Sequence, residues 1–245
     1  TNHEFIEKKE TFMKRAAKRP LSETVLNKIA HLSVSATEKT VLEEIFTEPI
    51  AYIPNDRFNR PSIMTPIAKQ NVVVLPGTSL KSDEEEILFL QLNYARHKMC
   101  QRRRRLLRIG KWAKKDVLPL LMWYKTQLDC RSKIVTSNMG LVLSMVQRVS
   151  YPGVEFADLI SEGSMALLRA TEKFDCSKGF KFSTYACRAI FKGFSRAAKQ
   201  NYRYRSLFPT QLDTALEKDD KQERNREEIQ DDLSSEMQVI IGNNL

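Results

Sequence analysis

Glycine and proline are scarce, at 8 and 9 of 245 residues. A barrel or sandwich needs tight turns at short intervals, and turns draw on those two residues, so the shortage favours helices. Cysteine is scarce too. Cys100, Cys130, Cys176 and Cys187 form no CxxC pair, and no His stands at zinc-ligand spacing from them. That argues against a metal centre and leaves reduced thiols as the plain reading. No apolar run approaches the ~20 residues of a membrane span. No charged-then-apolar leader opens the chain. What the chain has in quantity is charge: 29% of residues are charged, and the net value is +10. A polyanionic partner fits that balance, but so does simple solubility. The 42% hydrophobic content suffices for one or two domains with a core.

The first sixty or so residues are polar and broken by Pro20, Pro49, Pro54 and Pro61. Short helical runs at 4–19 and 22–31 fit a loosely tied arm or small helical subdomain over 1–65. In the second run Val25, Ile29 and Leu32 recur at helical spacing. Gln70 to Leu75 reads as a short strand or an extended lead-in. Ser82 to Met99 reads as a helix, with Ser82 and Glu85 as a capping box and Glu84, Glu85 and Glu86 suiting the positive end of the dipole. His97 reads as a surface or helix-end residue. Gln101 to Lys115 holds eight basic residues and no acid. A phosphate-contacting patch and a solvated helix face or connector both remain open for it. Residues 116–136 continue as helix, with Leu118, Leu121, Met122 and Trp123 as the expected buried side. Lys133 to Val149 is amphipathic, on a stripe of Ile134, Leu141, Met145 and Val149, and Asn138 within it needs a partner wherever it is buried.

The richest stretch runs from Phe156 to Arg205. In its first helix Asp158 and Glu162 are four apart and share a face. A solvated face, a docking patch and acid–base catalysis are the three readings of such a pair, and no His or Ser–His pair lies near it in sequence to favour the last. Phe180, Phe182 and Tyr185 then fall within six residues, beside Lys181. They read either as a hydrophobic staple, with Ser183 as N-cap, or as a platform for unstacked bases. In the next helix Arg188, Lys192, Arg196, Lys199 and Arg203 recur at spacings of 4, 4, 3 and 4. Like charges at such spacings repel, and a phosphate backbone would neutralise them. Nucleic acid is therefore the favoured partner of this face.

These residues resemble a known family. FADLISEGSMALLRATEKFDCSKGFKFSTYA resembles the most characteristic segment of bacterial RNA polymerase sigma factors of the sigma-70 family. SNMGLVLSMVQRV resembles the helix that precedes it there, and SDEEEI resembles the start of an earlier conserved helix. The resemblance covers roughly 131–209. It implies an all-α fold, a helical core bundle over 66–210 with the polar arm before it and an acidic linker at 211–245. It implies no catalysis, no metal and no cofactor. It further implies docking on the clamp coiled coil of the largest subunit of core RNA polymerase through Asp158, Ser161 and Glu162. Capture of flipped nontemplate bases of the promoter −10 element would fall to Phe180, Lys181, Phe182, Thr184 and Tyr185, with Asn138 and Leu141 from the preceding helix. Arg188, Lys192, Ser195, Arg196, Lys199 and Arg203 would line the DNA beyond. An anti-sigma factor is a further partner in such a family, and the cytoplasm, at the nucleoid, is the place of work.

The sequence departs from that pattern in places. Principal members carry a Trp pair where Arg188 and Ala189 stand, and that pair wedges the upstream edge of the melted region. Lys192 and Ser195 replace polar readers, Gly140 replaces an Arg, and Gln211 stands where a His is common. An alternative or divergent factor is expected. No second helix-turn-helix domain for the −35 element is visible; the readings are a truncated chain or a protein that lacks that reader, and Thr1, which is not an initiator Met, favours truncation. The rival readings are a polymerase-binding regulator that docks without melting DNA, and a nuclease, which would need a metal-binding acid cluster.

Overall fold

The computed structural model describes residues 22–74, 78–149, 151 and 154–207, the last four through their backbone alone. Every regular element among them is helical: α1 (Glu23–Ala30), α2 (Ala36–Thr47), α3 (Pro61–Lys69), α4 (Ser82–Arg108), α5 (Lys114–Arg148), α6 (Phe156–Lys173) and α7 (Phe182–Leu207). Single 3-10 turns occur at Asp56–Asn59 and Cys176–Lys178. The all-α expectation holds. Residues 71–74 form neither helix nor strand, so the lead-in reading of that segment stands over the strand. The run at 4–19, the acidic linker and Gln211 lie outside the described residues.

Contacts gather the chain into two compact units. One combines Thr1–Val72 with Ile87–Ser132, and the other combines Val73–Glu86 with Lys133–Leu245. The first core shows what holds the first unit together. Val25 and Ile29 of α1, with Leu42 and Ile45 of α2, bury against Met99 and Leu106 of α4 and Val117 and Leu120 of α5. Each such side chain contributes about 1.5–3 kcal/mol on burial. Short helices like α1 and α2 are marginal alone, so they are held by α4 and α5. Ser35 starts α2 with a complete capping box to Glu38.

In that unit the inner side of α5 agrees in part with the one expected: Leu121 and Trp123 pack, half-buried, against the core, but Leu118 and Met122 do not. Val117 and Leu120 are buried, while Leu118 is 38% and Met122 68% exposed. The helical steps from 117 to 120 and 124 define the inner face, and 118 and 122 lie off it. Trp112 stacks on Phe46, with ring centroids 4.9 Å apart. α4 does not stop near Met99 but runs to Arg108, because nothing before Gly110 breaks it. His97 is therefore a mid-helix residue, half-buried, with Nδ1 3.1 Å from the Tyr52 hydroxyl. Burial, then the charges of Lys98 and Arg104, hold its pKa below the ordinary value.

The second unit takes the first turn of α4, the later part of α5, and α6 and α7. Ile134, Val142, Met145, Val146 and Val149 are buried, and Leu141 is half-buried. Phe174, Phe182, Ile190 and Phe194 complete this core. Tyr151 meets Phe194 edge-on, with centroids 6.3 Å apart. The cysteines are free thiols, Cys176 half-buried and the others buried.

Candidate nucleic-acid interface

Two glycines let α6 and α7 pack closely. A Cβ at Gly163 would lie 2.7 Å from Val142 Cγ1 and 2.9 Å from Phe194 Cε1. One at Gly193 would lie 3.2 Å from Ala166 Cβ and 3.4 Å from Glu162 Cγ. Glycine in a helix interior is unfavourable by about 0.5–1 kcal/mol against alanine, so the two positions trade propensity for contact. The register this fixes sets the outer faces of both helices. On α7, Cys187, Ile190, Phe191 and Phe194 are buried, while Arg188, Lys192, Arg196, Lys199 and Arg203 are all exposed. The cationic face read from the spacing is present as read.

On α6, Asp158 and Ser161 are exposed. Met165, one turn on from Ser161, is 47% exposed. Glu162 is drawn between two cations. Its Oε1 lies 3.2 Å from Arg169 Nη1 and 3.8 Å from Arg196 Nη1. Those arginines are 49% and 60% exposed, and pairs so open to water contribute about 0–1 kcal/mol. Glu162 can exchange them for another cationic partner. The acid patch and the basic stripe therefore meet, through Glu162 and Arg196, at the close crossing.

The aromatic cluster splits in two. Phe180 is 70% exposed and Tyr185 38%, and Lys181 between them is exposed while Thr184 is half-buried. Phe182 is wholly buried. It meets Phe174 edge-on at 5.2 Å between centroids. Phe182 is thus a core residue, which corrects its reading as a base-capturing side chain: a ring enclosed on all sides has no face to offer. Tyr185 leans on Phe174 from outside, at 5.6 Å. Gly179, at φ 72°, takes the left-handed conformation that ends the preceding 3-10 turn.

The start of α7 is held from a distance. Ser183 lies inside the helix, so it is not the N-cap. The Phe182 N–H instead donates to Oε1 of Glu85, at 2.9 Å across 97 residues of sequence. Glu85 is free to do this because the α4 cap is not the expected Ser82–Glu85 box. The Glu85 N–H donates to the Lys81 carbonyl at 2.9 Å, and Glu84 accepts from the Lys81 N–H at 3.0 Å. Lys81 is the N-cap, one residue earlier. Burial holds the Glu85 carboxyl above the ordinary range, against the opposing pull of the Phe182 N–H and Lys181.

Three other site residues sit less openly than their expected roles require. Asn138 is buried, and its amide donates to the Ile134 carbonyl at 2.9 Å and to Ser137 Oγ at 3.2 Å. Its donors satisfy its own helix. Ser195 is half-buried and donates to the Phe191 carbonyl at 3.1 Å. Leu141, three residues after Asn138, is half-buried. Sequence reasoning missed Gly163 and Gly193 and gave Glu85 a local capping role in place of its contact with Phe182. A glycine inside an amphipathic helical pattern was a signal for the two glycines; nothing local points Glu85 toward Phe182. Among the described residues no three His, Cys, Asp or Glu side chains gather to hold a metal ion. No helix there is long and apolar enough to cross a membrane.

Residues 134–204 match the family model described as Sigma-70 region 2. The chain is 34% identical over 177 residues to RNA polymerase sigma factor SigA of a Nostoc species, which covers 66% of this chain and 45% of that protein. It is 33% identical over 177 residues to SigA1 of Synechococcus elongatus, covering 66% and 44%. It is 46% identical over 86 residues to RNA polymerase sigma factor sigA of Arabidopsis thaliana, covering 35% and 17%. The chain thus spans less than half the length of these curated relatives.

Proposed function

We propose that this chain, which belongs to the sigma-70 family through its residues 134–204, recognises promoter DNA and melts it as a non-catalytic subunit of RNA polymerase. One observation carries the reading: Phe180 and Tyr185 stand exposed at the head of a helix that exposes five cations in a row, Arg188, Lys192, Arg196, Lys199 and Arg203, and no acid. An exposed ring takes an unstacked base for about 1–3 kcal/mol, and the basic face holds the strand's phosphates. Phe180, Lys181, Thr184 and Tyr185 would hold flipped nontemplate bases of the −10 element. Arg188, Lys192, Arg196, Lys199 and Arg203 would follow the backbone. Asp158, Ser161 and Glu162 would dock on the clamp coiled coil of the largest subunit, and a protein covering that face would act as an anti-sigma factor. The work would be done in the cytoplasm, at the nucleoid.

A second reading has one observation in its favour. Arg188 stands where a wedge of paired Trp residues would part the strands, and a polymerase-binding regulator that docks through the same face without melting DNA needs no such wedge. One experiment separates the two. Phe180→Ala with Tyr185→Ala should lower open-complex formation at least tenfold, read by permanganate reactivity of unpaired thymines, while core polymerase capture stays unchanged. Asp158→Lys should do the reverse and weaken capture. Wild-type capture without any promoter opening would establish the regulator.

A further inference from the structure

The basic run at 101–115 has no part in the reading above. Its eight cations divide by structure. Arg103 is used internally: its Nη1 donates to the Ile45 carbonyl at 3.0 Å and the Glu48 carbonyl at 2.9 Å, closing the end of α2. Burial lowers its pKa, as it does for a cation drawn under a helix end. Arg102 is half-buried. The other six, Arg104, Arg105, Arg108, Lys111, Lys114 and Lys115, are exposed. They ring one feature, the turn from α4 to α5.

The placement is costly for the fold by itself. Arg104 and Arg108 are one turn apart, as are Arg105 and Arg108, and like pairs at those spacings destabilise a helix by about 0.2–0.5 kcal/mol each. Cations suit the C-terminal end of α4, but Lys114 and Lys115 begin α5, where the dipole is positive and acids are favoured. The adjoining acid is already engaged: Asp116 accepts the Ala113 N–H at 3.0 Å. Glu38, which feels the Lys114 charge, is engaged in its own capping box with Ser35. A bound polyanion relieves both penalties together.

The patch also differs in kind from the start of α7. Its only aromatic, Trp112, is half-buried, stacked on Phe46, and donates its indole N–H to the Leu106 carbonyl at 2.8 Å. It offers no free ring to an unstacked base. We infer that the turn between α4 and α5 is a second nucleic-acid surface, one that holds the phosphate backbone of duplex DNA without reading sequence. The α7 face takes single-stranded bases; this one takes charge alone. The inference does not depend on the promoter-melting reading, since it concerns paired DNA of any sequence.

The test uses the full chain and a labelled duplex of arbitrary sequence, titrated across salt concentrations. Neutralising Arg104, Arg105, Arg108 and Lys111 together to Gln should raise the duplex Kd at least tenfold at low salt. It should also flatten the slope of log K against log salt by about three. Changing Arg104, Arg105 and Arg108 to Lys keeps the charge and should leave Kd within about twofold, which a role in packing would not predict. Circular dichroism melts of each variant establish that it folds; a misfolded quadruple variant is replaced by the two pairs Arg104/Arg105 and Arg108/Lys111, each expected to remove about half the slope change. Unchanged affinity and slope in folded variants would overturn the inference. So would polyglutamate of equal charge displacing the duplex as well as unlabelled duplex does, because the patch would then serve an acidic protein surface.

Discussion

Gly163 has no room for a methyl group, and Gly140 has nothing within 4 Å of the place where one would sit. The two lie in helices, so they carry the same loss of propensity and differ only in surroundings. Gly163→Ala should therefore destabilise the chain by about 1–3 kcal/mol, as overpacking does. Gly140→Ala should stabilise it by about 0.5–1 kcal/mol. Urea unfolding of the two variants reads both signs; a stabilised Gly163→Ala would mean that Val142 and Phe194 move aside and that the close crossing is not tight. At this scale the sequence was legible where polarity decides burial. The five cations of α7 face water as their spacing implied. It was not legible where two residues of one type have opposite fates: Phe180 is exposed and Phe182 enclosed, and only the direction in which α7 begins separates them.

The link from Glu85 to the head of α7 belongs to the scale of elements. A carboxylate from the first turn of α4 accepts the Phe182 N–H, two residues from Phe180 and three from Tyr185. A helix start satisfied in this way has a fixed direction, which fixes where the two exposed rings stand. The pH dependence follows from burial. Glu85 has its folded pKa raised above the ordinary 4.5, so the folded chain keeps a proton that the unfolded chain has lost. Its contribution to stability is then full below about pH 4.5 and falls as pH rises through the raised value. Glu85→Gln keeps an acceptor for the N–H and cannot ionise. The stability of that variant minus wild type should grow from pH 4 toward pH 7, measured by thermal melts in matched buffers. A difference that stays level would show that Glu85 is not held above its ordinary range. No sequence pattern marks this contact, because 97 residues separate its ends. Local signals did find α1, α6 and α7 closely. They misplaced the α4 cap by one residue, since Glu84 and Glu85 are chemically alike and tertiary structure chose between them.

At the scale of the molecule, the chain holds chemically distinct outer surfaces: an acid face on α6, exposed rings and a cationic face on α7, and a second cationic patch at the α4–α5 turn. The first three lay within one continuous stretch and could be read from it. The division into two units could not, because α4 and α5 each contribute to both and no break in composition marks where the contacts change partners. The first-unit core joins residues as far apart as Val25 and Leu120, and pairings at such separation leave no periodic trace. Under the proposed function, the rings at the head of α7 open promoter DNA in a polymerase docked on α6. Its most direct test is transcription in vitro by the chain with core polymerase on a library of genomic promoters from its own source. Transcripts should start at defined sites, share an upstream −10-like element and disappear when Phe180 and Tyr185 are both changed to Ala. Transcripts that are no more promoter-directed than those of core polymerase alone, from a chain that still binds the polymerase, would contradict that function.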